Sequence, residues 1–175
     1  MLQQEDDEFY FAYGANMSAR YLANIRKVRA IETKPAIVNG YALIFNLKGV
    51  NFLEPGFANI LANENEYVEG VVHRVKRVDL ARILKSEPVE YKIIDIDATV
   101  DGRTITAKSL LYVSASTQTY RPSKRYLNIL TRAATQHGLS EEYIARIKST
   151  ECVYYPVLSE VFGSVIYLAV RFNAK

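Results

Sequence analysis

Tryptophan is absent from the 175 residues, cysteine appears once and histidine twice. The single Cys152 excludes an internal disulfide and any cysteine-based metal site. It is expected to be a small buried residue rather than a nucleophile. His73 and His137 are far apart and lack metal-ligand spacing, so both are expected at the surface or at a helix end. No GxSxG, HExxH, Walker or GxGxxG pattern occurs, which argues against the common hydrolase, zinc and nucleotide chemistries. No apolar run reaches 18 residues and no charged-then-apolar leader opens the chain, so a soluble protein of the cytoplasm is expected, without membrane association. The net charge of +3 is spread out, with "RKVR" at 26–29 and "HRVKR" at 73–77 the only basic clusters. Both read as solvated faces, and no nucleic-acid footprint follows.

What is present is a large apolar fraction, 49%, together with thirteen tyrosines. A chain of this length and composition is expected to form one domain over 1–175, with 1–8 flexible and 152–175 an extension carrying a strand. A buried strand over 9–13 breaks into Gly14-Ala15-Asn16, whose backbone N–H groups converge on one point. Ser18 caps a short helix, and strand-like runs follow at "KVRAIE", "AIVNGYALIFN", "GFANILA" and "YVEGVVHRV", the last two separated by a turn at "NENE". "RVDLARILKSE" has helical spacing and is stopped by Pro88. The segment 91–113 is a hairpin turning at Asp101-Gly102. Two helices follow, one opening near Pro122 and ending at Gly138, the other capped by Ser140, before a final strand in "SVIYLAVRFN". Strands precede helices and are joined by hairpins, which predicts an α+β fold with a mainly antiparallel sheet or barrel.

Among the carboxylates, Glu87 stands out, because it ends a helix at a proline stop just before an apolar strand. Partly desolvated there, it would move a proton near neutral pH. From pattern alone a solvated helix-end glutamate is the simpler reading.

"YFAYGANM" resembles the opening motif of the gamma-glutamylcyclotransferase family, commonly "FAYGSN" followed by Leu or Met. "GFANI" with "VEGVVHRV" is similar to two of that family's strands, "DLARILKSE" to the helix that delivers its glutamate, and "PSKRYLNILTRAATQHGLSEEYIARI" to its paired helices. The likeness runs from about residue 9 to about 151. It implies a small mixed β-barrel flanked by helices, needing no metal or cofactor. It also implies an enzyme that cyclises a γ-glutamyl group to 5-oxoproline and frees an amine. By resemblance Glu87 is the acid/base, Tyr10, Phe11, Ala12, Tyr13, Gly14, Ala15 and Asn16 form the substrate loop, and Tyr143 contacts substrate, with Tyr91 and Tyr126 as pocket walls. Ala15 replaces the family's serine, and the short "EPVEY" segment leaves Glu90 as a rival to Glu87. A non-catalytic binding or structural protein on the same barrel is the alternative. The partner is a small γ-glutamyl compound whose leaving amine stays open, as does the oligomeric state, a homodimer being one option.

Overall fold

The computed structural model describes residues 6–87, 91–114 and 118–154. Five strands close a barrel in the order β1 (Asp7–Ala12), β3 (Glu54–Lys76), β2 (Glu32–Val50), β4 (Tyr91–Val100) and β5 (Arg103–Tyr112). All ladders are antiparallel except the closing one, where β1 runs parallel to β5 at Tyr10 and Lys108. The mainly antiparallel, mixed barrel expected from the sequence is therefore the fold, and closure removes the exposed edges an open sheet would carry.

Alternation decides which side of each strand faces the core. Ala36 and Val38 point inward while Ile37 between them is exposed, and Ile96, Ala98 and Val100 repeat the pattern on β4. Asp101 and Gly102, both at positive φ, make the tight turn between β4 and β5. The two runs expected as separate strands at 57–62 and 67–75 are parts of β3. Their "NENE" link leaves the ladder as a bulge: Asn39 pairs with Tyr67 and Tyr41 with Ala62, so four residues of β3 oppose Gly40 alone. The Asn63 side chain accepts from the Asn65 N–H inside it, a local turn of the kind asparagine favours. "KVRAIE", expected as a strand, lies outside the sheet until Glu32. Lys27, at φ 58, redirects the chain there.

Between β1 and β2 lie a 3-10 turn (Ala15–Met17), a short α1 (Ala19–Tyr21) and a wide π-type turn (Leu22–Arg26). Ser18 caps this run by accepting from the Tyr21 N–H, as its sequence position suggests. Helix α2 (Arg77–Lys85) follows β3, while α3 (Lys124–Gln136) and α4 (Glu141–Lys148) pack as a pair on the barrel. Leu127, Leu130, Ala133 and Ala134 of α3, with Tyr143 and Ile147 of α4, join the core. Burying a leucine of this kind contributes about 2 kcal/mol.

Ser123 caps α3, its hydroxyl accepting from the Tyr126 N–H, with Pro122 just before it as expected. Two buried carboxylates tie these helix starts to the barrel: Glu54 accepts from Ser123, and Glu69 accepts from Ser140. Pro88, Glu90 and the strand expected in "SVIYLAVRFN" lie outside the described residues.

Candidate active site

Glu87 comes directly after Ser86, the C-cap of α2, its N–H still bonded to the Leu84 carbonyl, so the helix end sets where its side chain goes. The side chain is 9% exposed, which leaves little room for bulk water around it. One oxygen, Oε1, takes two bonds: from Asn16 Nδ2 at 2.9 Å and from Arg26 Nη2 at 2.5 Å. Oε2 has no hydrogen-bond partner among the described residues.

Asn16 is the hub of the turn that follows β1. Its amide donates to the Tyr10 hydroxyl at 2.9 Å as well as to Glu87, and its Oδ1 accepts from Arg26 Nε at 3.3 Å. Its backbone carbonyl accepts from His73 Nε2 at 2.9 Å. Because a carbonyl only accepts, the histidine proton sits on Nε2, and Nδ1 accepts from the Thr33 hydroxyl at 2.8 Å. Burial lowers the His73 pKa to about 4, so the ring is neutral at neutral pH.

These groups border a cavity of about 760 Å³. Tyr10, Tyr13, Tyr91 and Tyr126 line it, and burial pushes all four phenols well above the usual tyrosine range. Each is held: Tyr13 donates to the Leu110 carbonyl, Tyr91 donates to the Ala58 carbonyl, and Tyr126 accepts from the Ala58 N–H. Gly14 passes beside Tyr126. A Cβ there would stand 3.2 Å from the phenol oxygen, so closeness rather than a positive φ keeps the position small. The N–H groups of Gly14 and Ala15 have no acceptor among the described residues. The described residues offer a carboxylate oxygen and two backbone N–H groups without hydrogen-bond partners among them, together with neutral phenols. Such a site can hold an anionic group and pass a proton.

The AIG2-like family model matches residues 67–147. Gamma-glutamylcyclotransferase of Mus musculus is 29% identical over 156 residues, covering 85% of this chain and 81% of that one. Gamma-glutamyl cyclotransferase gliK of Claviceps purpurea is 29% identical over 153 residues, covering 80% of this chain and 68% of its own length. A solved gamma-glutamyl cyclotransferase superposes with a TM-score of 0.78, at 23% identity, over 92% of this chain and 98% of that one. The chain is similar to enzymes of the gamma-glutamylcyclotransferase type over most of its length.

Of the residues that the family likeness singles out, the structure brings Glu87, Tyr10, Tyr13, Gly14, Ala15, Asn16, Tyr91 and Tyr126 to one cavity. Phe11 and Ala12 do not line it: both are buried in the core, opposite Val72 and Val71 of β3. Tyr143 does not line it either. It sits under α4, 1% exposed, with its ring beside Tyr67 and beneath the Arg146 guanidinium. The tyrosine that the paired helices present to the cavity is Tyr126, one turn into α3.

Two further expectations are corrected. His73 is fully buried in the barrel wall, because β3 alternation turns it inward with Val71 and Val75. Cys152 is exposed, in the stretch after α4. His137, by contrast, caps the end of α3 as expected and bonds the Met17 carbonyl. No helix among the described residues is long and apolar enough to cross a membrane.

Sequence reasoning missed Arg26, Tyr21, Glu54 and Arg125, all on the cavity wall. Arg26 hides in "RKVR", where Lys27 and Arg29 are indeed solvated but Arg26 is buried. The usable signal is the alternation of that cluster with Val28, itself 1% exposed.

Proposed function

We propose that this protein converts a small γ-glutamyl compound to 5-oxoproline and a free amine, in the cytoplasm, with Glu87 as general acid/base. The α-amine of the glutamyl group attacks its own γ-carbonyl carbon. That step forms the lactam C–N bond and a tetrahedral oxyanion, and collapse breaks the bond to the leaving nitrogen. Glu87 takes the proton from the attacking nitrogen and returns it to the departing one, so no co-reactant is consumed.

The observation that carries this reading is a shielded Glu87 whose Oε2 has no hydrogen-bond partner among the described residues, on a cavity that Gly14 and Ala15 also line. The N–H groups of Gly14 and Ala15 suit the oxyanion or the glutamyl carboxylate. The nucleophile is tethered to its target, so folding the chain into the ring-closing shape supplies much of the rate. A cavity of about 760 Å³ falls in the range of small-molecule sites, and leaves space for a leaving group beside the glutamyl end. Relatives bearing the cyclotransferase name, in a mammal and in a fungus, support the reaction type.

The test is a panel of γ-glutamyl amino acids, peptides and amines incubated with the protein, with 5-oxoproline read by mass spectrometry. Release from at least one of them, lost on denaturation, is expected. No release from any would favour the binding-protein reading.

A further inference from the structure

A guanidinium stands in contact with the carboxylate proposed as acid/base. Arg26 makes that contact with most of its donors already committed. Nε–H goes to Asn16 Oδ1, and Nη1 spends both hydrogens on Ser86, one on the carbonyl at 2.8 Å and one on the hydroxyl at 3.0 Å. Nη2 gives one hydrogen to Glu87 Oε1. The fork is therefore fixed by the substrate loop on one side and by the end of α2 on the other, and it cannot follow Glu87 if the carboxylate turns. Asn16, held in turn by Tyr10 and His73, grips the same oxygen. With Oε1 doubly bonded, only Oε2 is left to face the cavity.

From this asymmetry we infer that Arg26 is a positioning residue, which locks Oε1 and so makes Oε2 the atom through which Glu87 exchanges protons. The inference rests on the acid/base role proposed for Glu87, but the geometry also makes a claim that does not need turnover. The groups that feel the Glu87 charge from the packed elements are Tyr10, Tyr13, Tyr21, Tyr91 and Tyr126, with Arg26. The phenols stay neutral across the working pH range. Arg26 is then the charged neighbour in contact with Glu87. The device provides one fixed proton-transfer oxygen, and a planar fork does this where an ammonium would not.

The experiment follows the Glu87 carboxyl carbon resonance of ¹³C-glutamate-labelled protein at a fixed neutral pH, assigned by its disappearance in Glu87→Gln. In Arg26→Gln the resonance should leave its wild-type position and broaden, because the carboxylate turns once the hold on Oε1 is lost. In Arg26→Lys kcat on a turned-over substrate should fall roughly 10- to 100-fold with KM little changed, since charge is kept and placement is lost. An unmoved Glu87 resonance in Arg26→Gln overturns the inference. So does an Arg26→Lys protein with wild-type kcat, and this second arm still decides if Arg26→Gln does not fold. If wild type turns over no γ-glutamyl compound yet the Glu87 resonance moves in Arg26→Gln, the proposed reaction falls and the hold of Arg26 on Glu87 stands.

Discussion

Glu87 and Gly14 carry the sharpest consequences at the scale of single residues. Replacing Glu87 by Gln keeps the length of the side chain and, through the amide oxygen, the acceptor that Arg26 and Asn16 use at Oε1. The base alone is removed, so kcat should fall by about 10²- to 10⁴-fold while ligand affinity and thermal midpoint stay close to wild type. Full turnover by Glu87→Gln on a confirmed substrate would end the acid/base assignment. Gly14→Val places a branched side chain against the Tyr126 hydroxyl and over the N–H groups of the loop. The φ of −115° at this position is open to any residue, so the loss should lie in binding rather than in backbone strain. Calorimetry with 5-oxoproline as ligand should show affinity reduced tenfold or more by order of magnitude, at a modest cost in stability. A folded Gly14→Val protein that binds and turns over normally would remove the loop from the site. The family resemblance pointed Glu87 toward the cavity it borders, whereas a helix stop before an apolar strand, taken alone, reads more simply as a solvated helix end. Arg26 was not legible as a cavity residue, because its burial depends on a π-type turn that folds it back against α2, and the one local hint is its two-residue spacing from the buried Val28.

Elements carry their own logic, and here the starts of the two paired helices show it. A serine N-cap was readable at Ser140 from the two glutamates behind it, yet the cap is only half of the arrangement. Glu69, facing out of β3, accepts from both the backbone N–H and the hydroxyl of Ser140, and so fastens α4 to the barrel. Such a partner, 71 residues away, has no sequence signal. Ser140→Ala should cost about 1 kcal/mol, the usual worth of a cap. Glu69→Ala should cost about 1–3 kcal/mol, because it leaves a buried donor unmet. The double variant should lose less than the sum, since both changes break one shared network. Urea unfolding of the four proteins measures this cycle, and strict additivity would show that Glu69 and Ser140 act apart. The same scale explains the misread strands. Period-two patterning found both halves of β3, but whether "NENE" closes a hairpin or bulges from one strand depends on the partner strand, here the bend at Gly40 of β2.

The whole molecule is where pairing order, and not pattern, decides the outcome. Class and strand content followed from composition, hairpins and periodicity, whereas closure of the barrel through the parallel contact of β1 with β5 joins residues 98 positions apart. Closure also buries His73, which a linear reading leaves outside, and this has a consequence for the stability of the fold as a unit. The ring is neutral in the folded state, with its pKa depressed from 6.5 to about 4 by burial first and by the nearby His137 as a smaller cause. In the unfolded chain it protonates near its ordinary value. Between those two values the unfolded state binds the extra proton, so the stability due to a neutral His73 is complete above about pH 6.5 and is lost as pH falls toward 4. The size is about 3 kcal/mol over that window, taking 1.36 kcal/mol for each unit of difference. A His73→Gln variant, which can still donate to the Asn16 carbonyl, should be less stable at pH 7.5 but should lose less between pH 7.5 and 4.5 than wild type does. Urea unfolding at the two pH values isolates the histidine, because the carboxylates contribute alike to both proteins. Equal losses in the two would mean that His73 is protonated or solvated in the folded barrel, and the hydrogen bond that it donates to the Asn16 carbonyl would then no longer require a neutral ring.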